Sequence, residues 1–256
     1  MTHLEIYQFA CLSDNYGVLL HDPKTGETAS IDAPEAAAVS AALDEKDWSL
    51  SHILTTHHHH DHTGGNLELK QKTGCTIVGP KAEAAKIPGI DVQLAEGDAY
   101  DFGSTTVQVF ETPGHTLGQI NYWFEKENLL FSGDTLFSLG CGRVFEGTLD
   151  QMWSSLQKLM ALPGGTVIYS GHEYTLANAA FALSIEPGNA ALRARAELVK
   201  EMRAHNEPTV PTTLQLELET NPFLRPDSTE IQEALGLVGA DLSIVFGEIR
   251  KRKDRF

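Results

Sequence analysis

The 256-residue chain is long enough for one large domain, or for a domain with a smaller companion, and its 41% hydrophobic and 21% charged content is that of an ordinary globular protein. Acidic residues outnumber basic ones 35 to 19, a formal net charge of −16, which argues against nucleic acid as a partner because phosphate binding asks for a basic surface. No secretory leader is visible at the start of the sequence, no apolar run approaches membrane-spanning length, and Cys11, Cys75 and Cys141 show no CxxC spacing, so the expectation is a reducing, cytoplasmic compartment and no membrane partner, and a monomer is expected.

In chain order, short β-rich runs bounded by Gly, Pro, Asp or Asn predict strands over residues 6–11, 16–21, 28–32, 52–55, 76–78, 105–111, 120–124, 129–131 and 167–169. Helices are predicted over 34–45, 66–72 and 150–161. Pro34 suits a first helical turn, and Met152, Leu156, Leu159 and Met160 form an apolar stripe at helical spacing. After residue 172 the texture changes. Residues 173–207 lack strand formers and read as two helices broken at Pro187-Gly188, with Leu192, Ala196, Val199 and Met202 on one face. Leu214, Leu216 and Leu218 alternate with polar residues and predict a short extended piece, and Ile231–Leu235 reads as a helix. The expected organisation is an α/β domain over 1–172 and a smaller, mainly helical domain over 173–256.

Residues 57–62 read His-His-His-His-Asp-His, five of the chain's eleven histidines, and no hydrophobic core asks for such a cluster. Imidazoles and a carboxylate this close suit divalent metals. His57 and His59, two apart after the apolar pair Ile53-Leu54, project the same way in an extended backbone, while Asp61 and His62 follow at the turn into a helix after Gly64-Gly65. His58 and His60 alternate with these and read as lying outside the ligand set. Three more candidates sit beside a glycine at strand ends: His115, Asp134 and His172. Seven ligands exceed what one ion needs, and a two-metal hydrolase is the first reading.

This constellation resembles the metallo-β-lactamase superfamily, whose mark is HxHxDH followed by separate His, Asp and His ligands. The resemblance implies an αββα sandwich with metals at one edge between two sheets. It also implies His57, His59 and His115 at a first ion, Asp61, His62 and His172 at a second, and Asp134 bridging both. A narrower likeness runs along nearly the whole chain. It is carried by Asp14-Asn15-Tyr16, Gly118, the run from Gly133 to Phe137, Gly140-Cys141-Gly142-Arg143, Phe145-Glu146-Gly147-Thr148, the run from Gly171 to Thr175, the run from Asn221 to Arg225, and the ending Arg250…Lys253-Asp254-Arg255-Phe256.

These segments resemble the glyoxalase II family, the hydroxyacylglutathione hydrolases. The family implies hydrolysis of the thioester S-D-lactoylglutathione to glutathione and D-lactate by a metal-bridging hydroxide, the second step of methylglyoxal detoxification. Two divalent ions are implied, zinc first, with iron or manganese as alternatives, and Asp134 and Asp61 at the catalytic centre. Substrate contacts carry over to Arg143, Phe145, His172, Tyr174, Arg250 and Lys253. Phe145 stands where some relatives have Tyr, which removes a phenolic hydrogen bond, and Ala33-Pro34 departs from the Asp-Pro pair often seen there. Within the superfamily the rivals are a one-iron persulfide dioxygenase and an RNA-processing nuclease. From another class, a non-catalytic metal-binding module would not need all seven ligands.

Overall fold

The computed structural model describes residues 3–256. The chain divides into two compact units, one running through Glu111 and including Leu117–Gly133, the other formed by Thr112–Thr116 and Asp134–Phe256.

The first unit opens with a six-stranded sheet in the order β1 (Glu5–Cys11), β2 (Asn15–Asp22), β3 (Glu27–Ile31), β4 (His52–Leu54), β5 (Thr76–Pro80) and β6 (Val92–Leu94). The first three strands are antiparallel hairpin partners, and β3 to β6 run parallel. Parallel neighbours need crossovers, and α1 (Ala36–Lys46), α2 (His60–Thr63) and α3 (Asn66–Thr73) lie in them. Val39, Leu43 and Leu69 from these helices pack with Leu19, Ile53 and Ile77 of the sheet in one buried cluster. Four antiparallel strands follow, β7 (Ala99–Phe102), β8 (Thr105–Glu111), β9 (Ile120–Phe124) and β10 (Leu129–Gly133). The two layers meet through aromatic contacts from His52 to Phe102, Phe102 to Phe124 and Phe124 to Phe131. The Tyr122 hydroxyl of β9 donates to the Thr55 carbonyl, 2.8 Å away, at the end of β4.

In the second unit, β11 (Leu136–Phe137) and β12 (Gly140–Cys141) form a tight hairpin, and β13 (Val167–Ser170) pairs with β14 (Thr212–Thr213). The helices are α4 (Leu149–Met160), α5 (Thr175–Ile185), α6 (Ala190–Ala204), α7 (Leu214–Thr220), α8 (Thr229–Leu235) and α9 (Leu242–Lys253). Thr148 and Gln151 close a capping box at the start of α4, whose inward face is the anticipated Met152, Leu156 and Leu159. Buried Arg195 of α6 pairs with Glu217 of α7 and also donates to Ser138, Thr212 and Thr220, so the charge is compensated inside the unit.

Two expectations need correction. Pro34 is not in a first helical turn: α1 begins at Ala36 with Glu35 as its N-cap. Ala33 beside Pro34 is held by hydrogen bonds, its N–H to the His62 carbonyl and its carbonyl from the Gly65 N–H, which keeps this stretch a link between elements. The alternating leucines over 214–218 form helix α7, because the buried positions are Leu214, Glu217 and Thr220, at helical spacing. Its inward face includes polar residues that meet Arg195, so hydrophobic alternation misreported the period. Strands β6 and β7 were also not anticipated. The basic residues Arg250, Lys251, Arg252 and Lys253 form the last turn of α9.

Candidate metal centre

In the first unit the parallel register Ile31↔Leu54 brings the end of β3 beside the end of β4, and therefore Asp32 beside Thr55 and Thr56. Asp32 is buried, and its carboxylate organises the loop. Oδ1 accepts the Thr56 N–H at 2.7 Å, and Oδ2 accepts the Thr56 hydroxyl at 2.9 Å and faces His62 Nδ1 at 2.8 Å. A carboxylate only accepts, so His62 Nδ1 carries the proton and Nε2 the lone pair. The Thr56 hydroxyl spends its hydrogen on Asp32 and so accepts from His57 Nδ1 at 3.0 Å, which leaves His57 Nε2 with a lone pair as well.

His57 Nε2 lies 3.2 Å from His59 Nδ1, and the His57 and His62 rings are 4.1 Å apart. Asp61 and His62 sit on the one-turn helix α2 with His59 at its N-cap, and Asp61 Oδ2 is 3.7 Å from His62 Nε2. Asn15 Nδ2 donates to the Asp61 carbonyl and to its Oδ2 at 3.1 and 3.3 Å. Of the two remaining histidines, His60 is exposed, and His58 Nδ1 lies 2.9 Å from Glu83 Oε2.

In the second unit His115, Asp134 and His172 are buried together. Asp134 Oδ2 stands 3.4 Å from His115 Nε2 and 3.4 Å from His172 Nε2. His115 Nδ1 donates to the Arg143 carbonyl at 2.8 Å, so its Nε2 is the lone-pair nitrogen. Gly142 is required here, since a Cβ on it would run into the Asp134 carbonyl oxygen.

These spacings test the fit to a metal. Zinc–nitrogen bonds of about 2.0–2.1 Å in a tetrahedron place ligand atoms roughly 3.3–3.4 Å apart. The His57–His59 contact and both Asp134–His contacts match that edge length within about 0.2 Å. Three of the imidazoles also have their outer nitrogen held by an oxygen, as metal-bound histidines do. The donor set fits a divalent ion, and all seven residues belong to the His/Asp groups of the chain that can hold one.

The residues expected to hold substrate lie in the second unit. Tyr174 stacks on His172 with ring centroids 4.9 Å apart and planes 5° from parallel, and Phe145 leans on His115 at 5.2 Å. With Phe145 60% and Tyr174 38% exposed, neither is a core aromatic. The Arg143 guanidinium lies over Phe145 at 5.7 Å and its Nε is 3.5 Å from Asp254. Arg250 is buried, donating to the Cys141 carbonyl and to Asp254, each at 2.9 Å. Burial first, then the neighbouring charges of Arg250 and Arg143, pull the Lys253 ammonium below its ordinary range. Arg143 and Arg250 therefore share Asp254, and Lys253, whose ammonium donates to the Ala177 carbonyl at 3.1 Å, adds a third positive charge near them.

Asp32, Thr56 and Glu83 escaped the sequence reading, and Asn15 appeared there only within a motif. For Asp32 a signal existed: a carboxylate ending a strand whose parallel neighbour ends at the histidine run.

Residues 17–172 match the model of the metallo-β-lactamase superfamily, and residues 173–256 match that of the hydroxyacylglutathione hydrolase C-terminus. A relative from Rhizobium meliloti (strain 1021), named hydroxyacylglutathione hydrolase, is 56% identical over 256 residues, covering all of both chains. One of the same name from Methylococcus capsulatus is 54% identical over 253 residues, 99% of each chain. Among solved structures, ETHE1 from Myxococcus xanthus superposes with a TM-score of 0.68 at 25% identity, covering 97% of this chain and 98% of its own. The BLEG-1 B3 metallo-β-lactamase, at 23% identity, gives 0.66 over 86% of this chain and all of its own, a likeness of fold. The fold is thus the αββα metallo-β-lactamase sandwich with a mainly helical C-terminal region. The chain belongs to the hydroxyacylglutathione hydrolase family of that superfamily, a family of thioester hydrolases.

Proposed function

We propose that the chain hydrolyses S-D-lactoylglutathione to glutathione and D-lactate at a centre of two divalent ions, zinc first, with iron or manganese as alternatives. The observation that carries the reading is the spacing and orientation of the ligands: three donor contacts at 3.2–3.4 Å among groups whose outer nitrogens are held by oxygens. His57, His59 and His115 would hold one ion, Asp61, His62 and His172 the other, and Asp134 would serve both. Ions bound there supply Lewis acidity and lower the pKa of water from 15.7 to roughly 7.

The chain's own residues do the rest. The Asp134 and Asp61 carboxylates act at the catalytic centre, and the buried position of Asp134 keeps its charge effective by excluding bulk water. Arg143, Arg250 and Lys253 offset the acidity of the chain locally and attract the carboxylates of glutathione. Tyr174 and Phe145, exposed beside two ligand histidines, flank the thioester, and His172 lines the same space. A thiol of unperturbed pKa about 8.5 leaves as thiolate without a dedicated acid.

In this reading residues 1–172 are the hydrolase domain and 173–256 the glutathione-binding domain. Three buried free cysteines suit a reducing cytoplasm, and we propose a monomer there. Among the described residues no helix is long and apolar enough to cross a membrane.

The test is thiol release from S-D-lactoylglutathione by metal-analysed protein. Two ions per chain, turnover of the thioester and inert nitrocefin are expected. Asp134→Ala should lower kcat by orders of magnitude and disturb both ions. An Asp134→Ala variant with full metal content and wild-type turnover would refute the bridging assignment.

A further inference from the structure

Glu83 lies in a 3-10 turn (Lys81–Lys86) of the first unit, and the proposed activity assigns it nothing. It is 4% exposed, and a carboxylate that deep is costly unless N–H donors surround it. Oε2 accepts the backbone N–H of His58 at 3.0 Å and lies 2.9 Å from His58 Nδ1. Oε1 accepts the backbone N–H of Gly118 at 2.8 Å.

What these bonds tie down is specific. His58 is the residue between His57 and His59, and in an extended segment its direction sets theirs, opposite to its own. One oxygen of Glu83 holds the peptide N–H of His58 by a hydrogen bond, and the same oxygen stands beside the His58 ring. With His57 held separately through Thr56, a fixed peptide at His58 sets the stretch of backbone from which both imidazoles project, and their nitrogens stand 3.2 Å apart. The other oxygen anchors the carboxylate to Gly118, two residues before β9 begins. A Cβ at Gly118 would lie 2.6 Å from Glu83 Cγ and 2.7 Å from Ala82 Cβ, so a side chain there would displace Glu83.

We propose that Glu83 is a positioning residue for the metal centre, holding His57 and His59 at ligand spacing by locking His58 between them. The inference rests on the reading of those two histidines as metal ligands. It is tested on full-length wild type, Glu83→Ala, Glu83→Gln, His58→Ala and Gly118→Ala, loaded with Zn2+ or Co2+. The readouts are zinc affinity by chelator competition, the visible spectrum of the cobalt form, Tm, and kcat and KM for S-D-lactoylglutathione.

Glu83→Ala should weaken zinc binding by up to about 10-fold, the low end of the cost of losing a direct partner of a metal-bound histidine, because Glu83 acts through His58. It should change the cobalt spectrum and lower kcat far more than it raises KM. Glu83→Gln keeps one acceptor oxygen and should fall between. His58→Ala keeps the backbone N–H bond and should lose less than Glu83→Ala. Gly118→Ala should reproduce the spectral change with every ligand intact. If Glu83→Ala does not fold, Glu83→Gln and Gly118→Ala carry the comparison. Variants with lowered Tm but wild-type zinc affinity and cobalt spectrum would overturn the positioning role and leave a structural one. A wild-type chain that binds neither ion would overturn the metal reading, and this inference with it.

Discussion

Replacing Asp32 by Asn changes one oxygen to an amide nitrogen and tests whether tautomer control at His62 matters. Asp32 adopts φ +56°, a left-handed conformation that Asn tolerates as well as Asp, so the substitution adds little backbone strain. The amide can still accept the Thr56 N–H through its oxygen, while its nitrogen then faces the Thr56 hydroxyl and His62 Nδ1, where Oδ2 accepted at 2.9 and 2.8 Å. The hydroxyl can rotate to accept. His62 must give up the Nδ1 proton, which puts it on Nε2, the nitrogen assigned to the metal. A charge-assisted hydrogen bond is worth roughly 1.5–3 kcal/mol. At about 1.4 kcal/mol per factor of ten, its loss predicts zinc bound about 10–100-fold more weakly, in line with other partners of metal-bound histidines. Chelator competition measures the affinity, and nitrogen-detected histidine NMR reports which ring nitrogen is protonated. KM should move little, because the substrate cluster belongs to the second unit. An Asp32→Asn protein with zinc affinity within twofold of wild type and a proton still on His62 Nδ1 would refute the reasoning.

Lys253→Ala should raise KM for the glutathione thioester up to about tenfold with kcat nearly unchanged, whereas exposed Lys251→Ala should change neither, as steady-state kinetics will show. Arg250→Ala is a less clean probe, because it also breaks the bond to the Cys141 carbonyl and should lower Tm. Asp22 lies far from the metal residues in sequence: burial would raise its carboxyl, but hydrogen bonds from Ser104 and Lys24 prevail and hold it at about 2. Because that lies below the unfolded value of about 3.9, its contribution to stability is full above roughly pH 4 and lost as pH falls toward 2. Urea midpoints across that range should fall less steeply for Asp22→Asn than for wild type.

Much of the centre was legible in the sequence because metal chemistry needs particular side chains at short spacing. Five histidines in six positions have no structural explanation, and His57, His59, Asp61 and His62 follow from them by alternation and turn geometry alone. Strands β8 and β9 were also legible to the residue, since both have dense β-branched or aromatic content between turn residues. Helix α7 was not. Its burial is decided by a salt bridge to Arg195, nineteen or more residues earlier, and a local hydrophobic pattern cannot register a partner that far away. The same limit hid the groups behind the ligands. Asp32 and Glu83 are ordinary acids in the sequence, and they acquire their roles only when β3 pairs with β4 and a 3-10 turn presents a carboxylate to His58. The sequence by itself determined that metal-binding side chains cluster here, and its alternation is the ground on which His57 and His59 are proposed as ligands. Which oxygen orients each ring is a property of tertiary contact, because the hydrogen-bond partner of a buried group is chosen by packing and not by neighbours along the chain.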